Sequence, residues 1–301
     1  MKKVLLFGAG SGAINFIENE KNNIEILACI DNDKNKHGKR ILDIEIISPE
    51  KIENFEFDEI IITTQWAIEV ENQLINNYLI NKEKIIHPLK NLLKKSDKPF
   101  EDEKTLNLAK KIITFLCGKA KEKNIPLHID YGTLLGIVRD GKLIPWDDDI
   151  DLAIISTKAK EVESFILENI DLIDNDLIWT VEKIVDKNNN PFELSLKFNS
   201  LSNKFKTFDI SIAYKGIIGE NAVKLTSLGQ WYTPKHHVLK LETLFWENTT
   251  LFVPSDFEKY LEFTYGSWKT PKQEMKIDEG CQGIVTFEDL KDAKLSKIII
   301  L

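Results

Sequence analysis

The sequence predicts an α/β protein of two domains, a small parallel sheet with helices over residues 1–95 and a larger α+β domain over 102–301. Two observations carry this expectation. From Lys3 to Asp31 the chain runs apolar strand, glycine turn, helix, second strand and acid, in that order. Further on, four carboxylates crowd into Asp147-Asp148-Asp149-Ile150-Asp151, directly ahead of the apolar Leu152-Ala153-Ile154-Ile155. At 301 residues, 43% of them apolar, the chain can bury two ordinary cores.

In the first domain Lys3 to Phe7 is a continuous apolar strand. Gly8-Ala9-Gly10-Ser11-Gly12-Ala13 and a helix to about Glu20 follow, then a strand from Ile24 to Ile30 that ends at Asp31. That is the order of a Rossmann-type unit, in which glycines allow a tight turn and close approach of a pyrophosphate. Gly8, Gly10, Gly12 and Asp31 are therefore candidate cofactor-binding residues, with Asp31 placed to hold a ribose hydroxyl. Phe57 to Thr63 reads as a further buried strand. Ala67 to Leu79 reads as an amphipathic helix with Ile68, Leu74, Ile75 and Tyr78 toward the core, and Ile85-Ile86 as the last strand. The order specifies a fold and leaves the ligand open, since such domains bind nucleotides, sugar nucleotides or nothing observable. Nothing nearby offers a proton donor for hydride transfer.

The polar segment Leu93 to Asp102, interrupted by Pro99, marks the boundary. Thr105 to Lys123 then reads as a helix with Leu106, Leu108, Ala109, Ile112, Ile113, Leu116 and Ala120 along one stripe. Leu127 to Asp130 reads as a short strand that opens through Tyr131-Gly132-Thr133 into a helix. A glycine and a hydroxyl residue there let backbone N–H groups approach a phosphate.

In the extended segment that follows, Asp149 and Asp151 point one way while Ile150 and Leu152 point the other. Two carboxylates side by side repel one another unless a cation lies between them. Their hard oxygens suit Mg²⁺ or Mn²⁺. The bland alternative is an acidic turn capping a strand. A Gly-Thr turn followed by an Asp-apolar-Asp strand is the two-part signature of a nucleotidyltransferase-like palm, the first part cradling phosphate and the second holding metal.

Of 40 basic residues only Arg40 and Arg139 are arginine. Arg139 is thus a candidate bidentate phosphate ligand, or else one half of a surface pair with Asp140. Lys142 could neutralise the same phosphate. His236-His237 reads as an extended, solvent-facing pair and His128 as a core residue. Trp231, Trp246 and Trp268 could line an acceptor groove, with core packing the default.

The stretch from Asp130 to Arg139, continued by Ile144 to Leu152, resembles the LicD/fukutin family of phosphotransferases. Phe208-Asp209-Ile210-Ser211-Ile212 looks like that family's later strand, which implies Asp209 as a third carboxylate and metal ligand beside Asp149 and Asp151. Leu251 to Pro254, Tyr260-Leu261, Tyr265-Gly266, Trp268 and Pro271 resemble its closing segment. Where such proteins often carry Phe-Glu-Gly, this chain has Phe245-Trp246-Glu247-Asn248, and Asn supports the left-handed conformation in place of Gly.

The resemblance implies a cytidine diphosphate donor, such as CDP-choline or a CDP-alditol, with CMP released. It also implies a glycan acceptor, such as a cell-surface polysaccharide precursor assembled at the cytoplasmic side of a membrane, where the chain would associate peripherally. Gly132, Thr133, Lys142 and Asp148 then face the substrate, and Asp149, Asp151, Asp209 and Arg139 perform the transfer. Ile30-Asp31-Asn32-Asp33, Gly38-Lys39 and Ile46 to Glu50 resemble N-terminal domains of glycan-modifying transferases and acyltransferases, which implies a nucleotide-sugar or docking module. Two alternatives stay open: a nucleotidyltransferase making an activated sugar or alditol, and a non-catalytic docking protein for glycan assembly.

A net charge of −8 argues against non-specific nucleic-acid binding. No window approaches 18 consecutive apolar residues, and the start has too short an apolar run for a signal peptide, so a cytoplasmic protein is expected. Cys29, Cys117 and Cys281 are far apart and read as reduced, mostly buried thiols.

Overall fold

A computed structural model describes residues 1–94, 97–274, 276, 279 and 285–301. They fall into two units, Met1–Asp97 with Lys272–Glu279, and Lys98–Pro271 with Gly280–Leu301. The segment Lys272–Glu279 therefore belongs with the first unit and not with the second, and its Lys276 bridges to Leu89.

The first unit comprises β1 (Lys2–Phe7), α1 (Ser11–Glu20), β2 (Ile24–Ile30), β3 (Arg40–Ile41), β4 (Ile44–Ile47), β5 (Glu59–Ile62), α2 (Ala67–Tyr78) and β6 (Ile85–Ile86). Its sheet has the order β3-β4-β2-β1-β5-β6. All neighbours are parallel except the β3–β4 hairpin, which the sequence analysis did not foresee. Alternation along β1 feeds two cores, one on each face of the sheet. Leu5 and Phe7 pack with Ala67, Val70 and Leu74 of α2, while Val4 and Leu6 pack with Ala13, Phe16 and Ile17 of α1. Val70 takes the core place expected of Ile68, because Ala67, Val70 and Leu74 lie on one face at helical spacing.

The glycine turn is shaped by packing. A Cβ on Gly12 would sit 2.4 Å from the Thr63 carbonyl oxygen. One on Gly8, at φ +112°, would sit 2.9 Å from the Thr64 Cβ, whereas Gly10 faces open space. Gly12→Ala must therefore push α1 off the end of β5, and it is expected to destabilise this unit by about 1–3 kcal/mol. Gly10→Ala is expected to cost less than about 1 kcal/mol. Chemical denaturation of the two variants checks the contrast, and equal losses would refute it.

The second unit comprises α3 (Glu103–Glu122), β7 (His128–Ile129), α4 (Tyr131–Asp140), β8 (Asp149–Ile155), α5 (Ala159–Asn169), β9 (Leu177–Val185), β10 (Pro191–Ser200), β11 (Asp209–Ile218), β12 (Asn221–Lys224), β13 (Tyr232–Pro234), α6 (His236–Leu239), β14 (Leu241–Trp246), β15 (Thr249–Pro254), α7 (Phe257–Tyr265) and β16 (Ser296–Ile299). One ten-stranded sheet runs β14-β15-β7-β8-β11-β10-β9-β16, with β12 joined to β11 and β13 to β12. Its central pair, β8 and β11, is parallel. Ile150, Leu152 and Ile154 enter a core shared with Leu108, Ile112 and Leu116 of α3 and with Val162, Phe165 and Ile166 of α5. The Asp102 carboxylate caps α3, accepting from the Thr105 N–H at 2.8 Å.

Two local expectations change. His236-His237 begins a short helix rather than an extended pair, so the rings need not face opposite ways. His237 is buried, with Nδ1 2.6 Å from the Ser255 carbonyl oxygen. The β14–β15 hairpin turns through Glu247 at φ +45° and Asn248 at φ +62°. Two successive left-handed residues make the tight turn that suits strand twist, and asparagine serves there as glycine would.

Cys29 and Cys117 are free and buried, and burial pushes both thiols up to about 12. Cys281 lies outside the described residues. No helix among the described residues is long and apolar enough to cross a membrane.

Candidate active site

β8 and β11 bring the carboxylates together. Their parallel register sets Asp149 opposite Asp209 and Asp151 opposite Ser211. Because Ile150 and Ile210 turn into the core, Asp149, Asp151 and Asp209 share the other face of the sheet at its centre.

The turn from β7 into α4 is fastened to the same spot. The Gly132 N–H donates to Asp151 Oδ2 at 3.1 Å, the Asp151 N–H donates to Thr133 Oγ1 at 2.9 Å, and the Asp130 N–H donates to the Asp151 carbonyl at 3.0 Å. Tyr131 carries the strain of this turn at φ +38°, a conformation tyrosine rarely adopts.

A Cβ on Gly132 would lie 2.5 Å from Asp147 Oδ2 and 3.4 Å from Asp151 Oδ2. Asp147, absent from the expected set, is thus part of the site. One carboxylate oxygen from each of Asp147, Asp148 and Asp149 lies within 4.8 Å of the others. Burial first, then the charges of Asp149, Asp147 and Asp130, push the Asp151 carboxyl well above the usual carboxylate range, against the pull of Lys224.

Arg139 and Lys142 lie at the opposite end of α4 from Gly132. Arg139 lies seven residues beyond Gly132 on α4, about 10 Å along the axis. Its fork closes on Asp140 Oδ2, with Nε at 3.0 Å and Nη2 at 2.7 Å. The partner is the one expected of the ion-pair alternative, but the Arg139 side chain is only 6% exposed, so the pair is not a surface one. Lys142 is exposed just past the end of α4.

Beneath the glycine turn lies a buried polar network. Lys215 of β11, 1% exposed, pairs with Asp130 Oδ2 at 2.5 Å and donates to the Tyr260 hydroxyl at 3.0 Å. The Tyr260 hydroxyl in turn donates to Asp130 Oδ1. Burial alone would raise the Asp130 carboxyl, but Lys215, His128 and the Tyr260 hydroxyl hold it below its ordinary value. Burial likewise pushes the His128 imidazole down to about 4, so it stays neutral. Of the three tryptophans weighed for a groove, Trp246 and Trp268 are buried in the core, while Trp231 meets the Tyr131 ring edge-on at 5.8 Å.

Sequence reasoning missed Lys215. Alternation along β11 from Asp209 through Ser211 and Ala213 puts residue 215 on the acidic face, and a lysine inside an apolar strand was the available signal.

In the first unit Asp31 is already engaged. Its Oδ2 accepts from the Ala9 N–H at 2.9 Å and from Lys36 Nζ at 2.8 Å, and Oδ1 accepts from the Asp33 N–H at 2.8 Å. Burial works to raise this carboxyl, yet these hydrogen bonds hold it below its ordinary value. Asp31 staples its loop to the glycine turn.

Fold and acids together define a nucleotidyltransferase-type palm, accompanied by a Rossmann-like unit. Residues 124–256 match the family described as LicD/FKTN/FKRP, nucleotidyltransferase domain, and residues 1–86 match the C2185-like N-terminal domain. The second unit thus contains a stretch similar to LicD-type nucleotidyltransferase domains, and the first a stretch similar to C2185-like N-terminal domains.

No curated protein matches the chain. Solved structures with some likeness include UDP-D-quinovosamine 4-dehydrogenase from Vibrio fischeri, 24% identical over 24% of this chain and 68% of that one, at a TM-score of 0.21. RSP, a Rex-family repressor, is 21% identical over 25% of this chain and 40% of that one, at 0.22. Myo-inositol 2-dehydrogenase from Lactobacillus plantarum is 12% identical over 93% of both chains, at 0.26. Likeness at these TM-scores says nothing about what the present chain does.

Proposed function

We propose that the chain transfers a phospho-substituent, of the phosphocholine or phospho-alditol type, from a CDP-activated donor to a hydroxyl of a cell-surface glycan precursor. The observation that carries this is the in-register placement of Asp149 beside Asp209 on one face, with Asp151 fastened to Gly132.

The residues fit a hard divalent ion such as Mg²⁺ or Mn²⁺. Carboxylate oxygens of Asp147, Asp148 and Asp149 converge within 4.8 Å, Asp151 and Asp209 share the face of Asp149 without joining that cluster, and the Ser211 hydroxyl, opposite Asp151, is buried without a hydrogen-bond partner among the described residues. Asp149, Asp151 and Asp209 would hold the ion, with Asp147 and Asp148 adjacent. When bound, it would neutralise charge on the donor diphosphate.

The protein's own groups then divide the work. Gly132 and Thr133 hold the turn beneath the phosphate. Asp209, the most exposed of the three acids, either completes a second metal position or accepts the proton of the attacking sugar hydroxyl, and the new oxygen–phosphorus bond forms as the bond to CMP breaks. We assign the Rossmann-like unit a docking or nucleotide-sugar role, and the whole chain a place at the cytoplasmic side of glycan assembly.

Thermal unfolding with CDP-choline, CDP-glycerol, CDP-ribitol, CTP, UDP-sugars and NAD, each with and without Mg²⁺, tests this. A ligand at a hundred times its dissociation constant adds about 2.7 kcal/mol, a shift of a few degrees. A magnesium-dependent shift with one CDP donor is expected. A shift with CTP alone, followed by release of pyrophosphate, would point instead to nucleotidyl transfer. No shift with any cytidine nucleotide would overturn both.

A further inference from the structure

Lys224 ends β12, whose register sets it opposite Lys215. Both ammonium groups lie over the Tyr131 ring, at 5.0 Å for Lys215 and 5.4 Å for Lys224. Their surroundings differ. Lys215 is sealed in by Asp130 and Tyr260. The Lys224 side chain stays 23% exposed, with Glu193 Oε2 3.9 Å away, at the outer limit of an ion pair. That same oxygen already accepts the Thr226 hydroxyl at 2.9 Å.

Lys224 also borders the site. Tyr131 directly precedes Gly132, whose N–H grips Asp151, and the Lys224 charge reaches the Asp151 carboxyl. Around a bound diphosphate the carboxylates leave the site negative even with one divalent ion present. The departing CMP gains a further charge, which a cation placed beforehand would stabilise. Arg139, with its fork on Asp140, is badly placed for that task.

We propose that Lys224 binds the donor phosphate that departs with CMP, an assignment that rests on the transferase function above. It takes a nucleoside diphosphate as its ligand, with Tyr131 and Trp231 forming the aromatic wall beside it.

Calorimetric titration of the full chain with CDP in Mg²⁺ tests it, with cytidine as the phosphate-free control. Lys224→Met is expected to weaken CDP about 10- to 100-fold, as for loss of one charged hydrogen bond, and to leave cytidine unchanged. Lys224→Arg should stay within a few-fold of wild type, and unchanged melting midpoints would show both variants folded. CDP affinity that survives Lys224→Met but is lost in Asp149→Asn overturns the Lys224 assignment and leaves the transferase standing. If the unaltered chain shows no magnesium-dependent binding of CDP, the transferase function falls and this assignment with it.

Discussion

Asp149→Asn is expected to lower the transfer rate by about a thousandfold or more while the fold stays intact. The substitution is isosteric, so the register that sets residue 149 opposite Asp209 survives. What it removes is one unit of charge from the centre of the carboxylate face, and with it one of the ligands proposed for a divalent ion. Several kcal/mol of transition-state stabilisation depend on such an ion, and about 4 kcal/mol corresponds to a thousandfold in rate. A second readout separates this from structural damage. Asp149 is the strongest charge pushing the Asp151 carboxyl upward, so its neutralisation relieves repulsion. Unfolding in chelator should show the variant at least as stable as wild type. CMP release within tenfold of wild type, measured with the donor found by the nucleotide panel, would remove Asp149 from the mechanism.

The largest effect on stability is expected at Lys215. Lys215→Met leaves Asp130, fully buried, without the cation that compensates it. Breaking a buried pair from one side typically costs about 3–5 kcal/mol. For a unit of this size that corresponds to a fall of roughly 10 °C in the midpoint. Adding Asp130→Asn should recover much of the loss, because the stranded charge is then gone, and a double variant no better than the single one would refute the account. The pH dependence has a definite sign. Folding depresses the Asp130 carboxyl, so its share of stability is present above the unfolded value of about 3.9 and is lost as pH falls through the lower folded value. The wild-type protein should therefore lose this share only in strong acid.

Much of this architecture was legible because it depends on short-range pattern. The strand, glycine turn and helix of β1 and α1, the stripe of α3 and the alternation Asp149-Ile150-Asp151 are all local statements. Ile68 against Val70 shows the resolution of such reasoning, since the two lie on nearly opposite sides of the helix and the core takes the stripe through Ala67, Val70 and Leu74. Long-range placement was less accessible. Lys224 and Lys215 reach the Tyr131 ring through the β11–β12 hairpin, and nothing in their immediate neighbours announces it. Arg139 shows the converse. Rarity marked it as special, but its position at the far end of α4 sends its fork to Asp140. Likewise, the spacing that suggested Asp31 as a ribose ligand was right about the turn it adjoins and silent about the Lys36 and Ala9 contacts that occupy it.

The parallel pairing of β8 with β11 also has a kinetic meaning. Asp149 and Asp209 stand sixty positions apart in the chain and become neighbours only when the intervening α5, β9 and β10 have been laid down. Closing so long a crossover is slow compared with forming hairpins or helices. Before it closes there is no paired-acid platform, and afterwards the acids repel until a cation arrives. A divalent-ion site built on Asp149 and Asp209, as proposed, would therefore exist only on the paired strands and not on earlier folding intermediates.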